Sequence, residues 1–177
     1  TRLVGSEMCI RDRYYMRALG SEKTSFDTIV ASGVRSALPH GMASDKVIEV
    51  GDFITFDFGA VYKGYHSDMT RTLVVGLANS WQQEIYTIVE EAQRKGLKAA
   101  EAGMTGRELD AIVRDSITAC GYGDYYVHGT GHGVGLEIHE MPMINKRGAT
   151  MLQTGMIFTI EPGIYLSLIH ISEPTRR

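Results

Sequence analysis

The segment Asp52–Phe58 constrains the fold more than any other part of the sequence, because it predicts a strand that carries an acid. Its residues alternate between two faces, with Phe53, Thr55 and Asp57 on one and Ile54, Phe56 and Phe58 on the other. Such period-two alternation of aromatic and β-branched residues indicates a β-strand. Burying a carboxylate in an apolar strand is costly unless the charge has a partner. That partner is either the guanidinium of Arg71 or a bound cation.

A β-hairpin is predicted around this strand. Gly59–Tyr65 contains turn residues, and Asp68–Val75 alternates at period two, as the returning strand of a hairpin would. Near the other end of the chain, Met156–Ile160 predicts a last short strand.

Two helices are predicted between these strands, and each has a capping box at its start. Ser80 with Gln83 three residues later marks the first, and Thr105 with Glu108 marks the second. The second helix should end at Gly121. Together the elements indicate an α+β fold with an antiparallel or mixed sheet and flanking helices.

Length, charge and cysteine content exclude several classes of protein. A chain of 177 residues can build a single core without disulfide staples. Its apolar runs are far shorter than the roughly 20 residues that cross a bilayer, and a net charge of -3 offers no basic face to nucleic acid. Cys9 and Cys120 make no disulfide framework and fit a reducing compartment. We therefore expect a cytoplasmic protein without a membrane or nucleic-acid partner.

The two ends of the chain differ from the rest. One DNA oligonucleotide can encode Val4–Arg13 on one strand and Leu166–Thr175 on the other. Such a pair resembles a transposase-type sequencing adapter translated at both ends of a short insert. We therefore expect residues 1–13 and 166–177 to be adapter-derived and to make few core contacts. Residues 14–165 would then be part of a longer protein.

Acids and histidines beside turns or in strands form a candidate metal site. They are Asp57, Asp68, His132, His139 and Glu161. Carboxylate and imidazole together suit manganese, iron, cobalt or zinc better than metals that seek thiolate. Taken alone, Asp68 is as well explained as a turn or cap residue.

The segment His128–Gly135 places two histidines among four glycines. The glycines could form a phosphate cradle, but no helix N-terminus follows them to supply free amides. Glycines leave the backbone around His132 without side chains, and this favours a metal and a substrate that approach the backbone closely over a phosphate cradle. His66 is best explained as an ordinary polar residue at a strand edge.

Three motifs resemble those of the pita-bread metallopeptidases, the family of methionine aminopeptidase, aminopeptidase P and prolidase. They are FDFGAVYKGYHSDMTRT, HGTGHGVGLEIHE and FTIEPG, in that order along the chain. The resemblance implies a pita-bread fold, incomplete at both ends, with metal ligands at Asp57, Asp68, His132 and Glu161. The family has a fifth ligand, a glutamate some way beyond FTIEPG. Residues 14–165 do not contain it, and Glu173 is no substitute.

Within the family, the sequence is most similar to the branch that cleaves before proline. Ser36–Gly41 resembles that branch, whereas methionine aminopeptidases usually have a cysteine before the corresponding His-Gly. His128, four residues before the ligand position His132, resembles it too. This implies aminopeptidase P or Xaa-Pro dipeptidase activity, with peptides that have proline in second position as substrates.

The resemblance also implies a mechanism. Two divalent metal ions would activate the attacking water, with manganese as the first choice and cobalt, zinc or iron as alternatives. Glu161 would take the proton from this water. His40 and His139 would face the substrate as catalytic groups, and His128 would position the proline ring. The parent protein is expected to be an enzyme, with a homodimer as its candidate assembly, and this fragment is expected to be an impaired one. The alternative is a pita-bread protein that binds peptides or proteins without cleaving them.

Overall fold

In the computed structural model, residues 3–166 are described. Three helices lie in this stretch: α1 (Gly5–Ala18), α2 (Ser80–Ala99) and α3 (Gly106–Ala119). The strands are β1 (Lys23–Thr24), β2 (Ile29–Ser32), β3 (Phe53–Phe58), β4 (Ala60–Tyr62), β5 (Tyr65–His66), β6 (Met69–Val74), β7 (Gly131–Gly133) and β8 (Glu140–Ile144). Among these residues, no helix is both long and apolar enough to cross a membrane.

The main sheet has the order β2-β3-β6, with antiparallel neighbours. The predicted strand and its returning partner are confirmed as β3 and β6. In the central strand, Asp57 lies opposite Ile29 on one side and Thr70 on the other. β6 forms an edge of this sheet, and its exposed and partly buried residues alternate. The α+β class is confirmed, and the acid of β3 sits in the middle of the sheet.

The connection between β3 and β6 is a second hairpin, where the sequence predicted only a turn. Its strands β4 and β5 join β1 in a small antiparallel sheet. Lys63 and Gly64 separate the two strands and have φ angles of 50° and 79°. Positive φ at both central residues is the geometry of a tight two-residue hairpin turn. Val61, only 2% exposed, anchors the hairpin and explains why the segment is ordered as strands.

Strands β7 and β8 pair in a separate antiparallel sheet, with an irregularity between His132 and Gly133. The predicted strand Met156–Ile160 is wrong as a regular strand, since it meets β7 through an isolated bridge. Three backbone hydrogen bonds accompany the bridge: Val134 donates to Ile157 over 3.3 Å, Thr159 to His132 over 2.8 Å, and Glu161 to Thr130 over 2.8 Å. The bridge does not extend into the regular ladder that defines a strand. The segment is nevertheless fixed beside the histidine strand.

The first of the two predicted helices, α2, begins one residue earlier than predicted. Asn79, not Ser80, is its N-cap: Asn79 Oδ1 accepts from the Gln82 N–H at 2.9 Å, and Gln82 Oε1 accepts from the Asn79 N–H at 3.0 Å. Two overlapping capping patterns are present in the sequence, and asparagine is at least as good an N-cap as serine. The structure forms the earlier one.

The second capping box is confirmed at Thr105 and Glu108, which exchange side-chain and backbone hydrogen bonds. The helix ends before Gly121, whose φ of 87° lies in the left-handed region. α2 and α3 approach so closely that a Cβ on Gly96 would lie 2.6 Å from Val113 Cγ2. One face of α3 packs in a core cluster with α2, and another face packs against β8. The cluster comprises Ala92, Val113, Ile117 and Tyr126.

The structure of residues 3–13 differs from the expectation that this end of the chain makes few core contacts. Gly5–Ala18 forms α1, and Cys9, 6% exposed, packs in a core cluster with Val30 and Ile54. The expectation of few core contacts is therefore wrong for Cys9, because its side chain packs against Val30 and Ile54 of the main sheet. Residues 167–177, most of the second predicted adapter segment, lie outside the described residues.

Candidate metal centre

Three ligand-type side chains from three different segments converge in an acid–histidine cluster, formed by Asp68, His132 and Glu161. Asp68 lies between β5 and β6, His132 is in β7, and Glu161 follows the segment bonded to β7. His132 Nε2 lies 3.4 Å from Asp68 Oδ2 and 3.2 Å from Glu161 Oε1. One ligand atom from each residue lies within 4.8 Å of the others. The fold thus brings together donors that are far apart in sequence.

Backbone and hydroxyl groups fix the orientation of His132. Its Nδ1 atom lies 3.0 Å from the carbonyl oxygen of Gly133, and its backbone N–H donates to Thr159 Oγ1 at 3.1 Å. A ring whose Nδ1–H donates to a carbonyl presents Nε2 to the carboxylates, which is the usual arrangement of a metal-ligating histidine. Glu161 is oriented in the same way, since Thr159 Oγ1 donates to its Oε1 at 2.6 Å.

The electrostatics of the cluster centre on His132. Burial lowers the pKa of this imidazole, but hydrogen bonds to Asp68 and Glu161 outweigh it and raise the pKa to about 10. For Glu161, burial raises the pKa, yet the hydrogen bond to His132 and that to Thr159 lower it overall. Among the described residues, no lysine or arginine forms an ion pair with these carboxylates. The charge that balances them is therefore the imidazolium proton, or a cation in its place.

Asp57 lies beside the cluster and has an unsatisfied oxygen. Burial raises the pKa of its carboxyl to about 7, helped by the negative charges of Asp68 and Glu161. Its Oδ1 atom is buried without a hydrogen-bond partner in the described part of the chain. An orphaned carboxylate oxygen beside two other acids matches a donor set for a divalent cation.

The salt bridge considered for Asp57 with Arg71 does not form. Arg71 lies opposite Phe56 in the ladder and is exposed, and its guanidinium donates to the Thr70 carbonyl oxygen. Successive strand residues point to opposite faces, so Arg71 lies on the face away from Asp57.

The other predicted histidines differ in how they relate to the cluster. The His139 ring lies edge-on to the His132 ring, with centroids 4.2 Å apart. His128 lies close enough for its charge to lower the pKa of Glu161. His40 is exposed, and none of the contacts described for residues 3–166 joins it to the cluster. His66 does more than predicted, because its backbone N–H donates to Gly135 O at 2.7 Å and ties the second hairpin to the histidine segment.

Sequence reasoning missed Tyr165. Its hydroxyl forms a 2.8 Å hydrogen bond with His128 Nε2, and the two ring centroids lie 5.3 Å apart. Burial raises the pKa of this phenol to about 12, and the charges of Glu161 and Asp57 add to the effect. The signal in the sequence was its position four residues after Glu161, on a segment that already carried a candidate ligand.

Comparison with known proteins places the chain among peptidases. The sequence model of metallopeptidase family M24 matches residues 7–174. A relative described as Xaa-Pro dipeptidase, from Pyrococcus furiosus, is 57% identical over 160 residues, which cover 90% of this chain and 46% of that protein. The chain thus spans less than half the length of this relative.

Solved structures agree in fold. The prolidase from Pyrococcus furiosus matches with a TM-score of 0.92 at 55% identity, covering 94% of this chain and 49% of that one. The X-Pro aminopeptidase from Thermotoga maritima matches with a TM-score of 0.91 at 49% identity, covering 94% of this chain and 47% of that one.

The antiparallel sheets, the flanking helices and the converging acids and histidine define part of a pita-bread metallopeptidase fold. The chain belongs to metallopeptidase family M24. The expected family and fold are therefore confirmed.

Proposed function

We propose that the protein containing this chain is a metal-dependent peptidase that cleaves the bond before proline in Xaa-Pro peptides. The observation that carries the proposal is the convergence of Asp68, His132 and Glu161 around Nε2 of an oriented imidazole. Relatives described as Xaa-Pro dipeptidase support the substrate class. The proposal covers both Xaa-Pro dipeptides and longer peptides that begin with Xaa-Pro.

Asp57, Asp68, His132 and Glu161 would hold two divalent metal ions, with manganese as the first choice. The unsatisfied Oδ1 atom of Asp57 and the outward Nε2 of His132 are the donors that fit this assignment best. When bound, the ions would supply Lewis-acid activation of water and of the scissile carbonyl.

The chain's own residues would move protons and hold the substrate. Glu161 Oε1 already accepts a hydrogen bond from Thr159, so the carboxylate is held in place to take a proton from the attacking water. His139, in ring contact with His132, would stabilise charge on the reacting carbonyl or protonate the leaving nitrogen. His40 stays a proposed substrate-facing residue on the sequence resemblance alone.

Proline recognition would rest on His128 and its partner Tyr165. Proline has no N–H, so a site that recognises it has to read the shape of the ring. His128 and Tyr165 form an edge-on aromatic pair joined by a 2.8 Å hydrogen bond. This pair extends the proposed substrate contacts beyond His128.

We also propose that the protein is cytoplasmic, since Cys120, the cysteine of residues 14–165, is free. Adapter origin of residues 1–13 and 166–177 likewise remains a proposal.

The experiment is to express the full parent protein, measure its metal content and assay Ala-Pro and a longer Xaa-Pro peptide with added manganese. Metal-dependent release of the first residue supports the proposal. Metal-free protein that binds Xaa-Pro peptides without cleaving them would instead establish a non-catalytic binding protein.

A further inference from the structure

A buried ion pair on α3 lies outside the acid–histidine cluster and reaches toward it. Asp110 is 1% exposed, and Arg114 one turn later donates to both of its oxygens, Nε to Oδ2 at 3.0 Å and Nη2 to Oδ1 at 3.0 Å. The side chain of Arg114 is 13% exposed. Two parallel hydrogen bonds between a guanidinium and a carboxylate fix the geometry of both groups.

The remaining hydrogen bonds of this pair go to the segment that precedes β7. Arg114 donates to the carbonyl oxygens of Tyr126 at 2.9 Å and His128 at 2.7 Å. Asp110 Oδ1 accepts from the Thr130 N–H at 3.1 Å and from its hydroxyl at 2.8 Å. One ion pair thus holds three points along a short stretch of backbone.

Thr130 connects this pair to the acid–histidine cluster. Its carbonyl oxygen accepts the backbone N–H of Glu161 at 2.8 Å, and His132 follows two residues later. Its hydroxyl also lies 2.8 Å from the hydroxyl of Tyr126. Since that hydroxyl donates to Asp110, it accepts from Tyr126. Thr130 is 0% exposed, and its N–H, hydroxyl and carbonyl groups all have partners.

We infer that Asp110, Arg114 and Thr130 are positioning residues for the metal centre, an inference that rests on the proposed function. They hold the backbone of residues 126–130 and, through Thr130, set the position of Glu161 relative to His132. A buried ion pair adds little net stability compared with apolar side chains of similar volume. The pair donates to and accepts from the backbone that carries His128 and leads to His132. We therefore assign it a role in positioning that backbone.

The test replaces the side chain of Thr130 with one that keeps its shape but not its hydroxyl and with one that keeps its hydroxyl but not its methyl group. Thr130→Val removes the hydroxyl and both of its hydrogen bonds, whereas Thr130→Ser keeps them. Arg94→Lys is the matched control, because Arg94 forms an ion pair with Glu90 at the same helical spacing but on an exposed face. Manganese affinity is measured by titration calorimetry, and hydrogen exchange is followed at the Glu161 amide.

Partners of metal ligands typically change metal affinity 10- to 100-fold when they are removed. We expect such a loss, with faster exchange at the Glu161 amide, in Thr130→Val. Thr130→Ser and Arg94→Lys should match the unmodified chain. A purely structural role would lower the unfolding temperature of Thr130→Val and leave metal affinity and Glu161 exchange unchanged below that temperature, which would overturn the inference.

Failure of the proposed function gives a different result. If neither this chain nor the full parent protein binds manganese, the proposed function is contradicted. The exchange rate of the Glu161 amide then still decides whether Thr130 positions that segment, since this rate needs no bound metal.

Discussion

The Nε2 atom of His132 lies 3.4 Å from Oδ2 of Asp68, a distance that only a shared proton or a bound cation makes favourable. With the pKa of His132 raised to about 10, the proton occupies this position at neutral pH in the metal-free protein. A metal ion that binds Nε2 has to displace it. Metal binding and proton release are therefore coupled at this site.

Manganese affinity should rise with pH between about 6 and 8. Asp57, with a pKa of about 7, and His132, with a pKa of about 10, both lose protons when a metal binds. Calorimetric titrations in two buffers of different ionisation enthalpy would count the protons released. Affinity that is independent of pH, with no buffer-dependent heat, would contradict metal ligation by these two groups.

The metal-free chain should become less stable as pH rises. The pKa of Asp57 is raised from 3.8 to about 7, so the folded chain binds more protons than the unfolded chain in that window, and stability falls across it. His132, raised from 6.5 to about 10, continues the fall at higher pH. Glu161, whose pKa is lowered, acts in the opposite direction only in the acid range below its ordinary value of 4.5.

Thermal melts of the metal-free chain between pH 5 and 9 measure this dependence. Asp57→Asn should flatten the fall below about pH 7 and leave the part due to His132. A melting temperature that rises steadily from pH 5 to 9 would show that the carboxyl of Asp57 is not destabilised by burial.

Gly131→Ala should damage the metal centre, while Gly135→Ala should be tolerated. A Cβ on Gly131 would lie 2.0 Å from the backbone oxygen of Thr159, so β7 and the Glu161 segment would have to separate. A Cβ on Gly135 would meet the carboxylate of Glu140 at 2.6 Å, and this flexible side chain can move aside. Manganese affinity and melting temperature of the two variants should therefore differ. Equal losses would mean that close backbone approach at Gly131 is unimportant.

Xaa-Pro hydrolysis by residues 14–165 should be lower than that of the full parent protein by orders of magnitude. The family resemblance implies a fifth metal ligand beyond this stretch, so residues 14–165 would have fewer carboxylates to hold two cations. Each tenfold loss of rate corresponds to about 1.4 kcal/mol of transition-state stabilisation. Both proteins are assayed side by side with manganese, together with a parent variant that has glutamine at the fifth ligand. Comparable turnover by all three would show that this ligand is dispensable.

Local sequence patterns predicted the parts of the fold that depend on local physics. The alternation in β3 and the capping box at Thr105 are set by a few neighbouring residues, and both are confirmed. The strand predicted at Met156–Ile160 was wrong because a regular strand needs a continuous ladder with its partner, and this segment meets β7 through a single bridge between Gly133 and Phe158. The second hairpin was missed because its turn uses Lys63, a non-glycine residue with positive φ.

The candidate site shows the same division. Asp68, His132 and Glu161 were predicted as metal ligands from residue type and motif spacing, and the fold brings them together. Tyr165 and the Asp110–Arg114 pair were missed, because their significance lies in contacts that only the folded chain creates.

The edge position of β6 has a consequence for the behaviour of this chain in concentrated solution. Within residues 3–166, one side of the strand pairs with β3, and Leu73 and Met69 are 56% and 44% exposed. An edge strand with apolar side chains and unpaired backbone groups is a template for strands of other molecules. We therefore expect self-association that grows with protein concentration, and a charged side chain in place of Leu73 should suppress it.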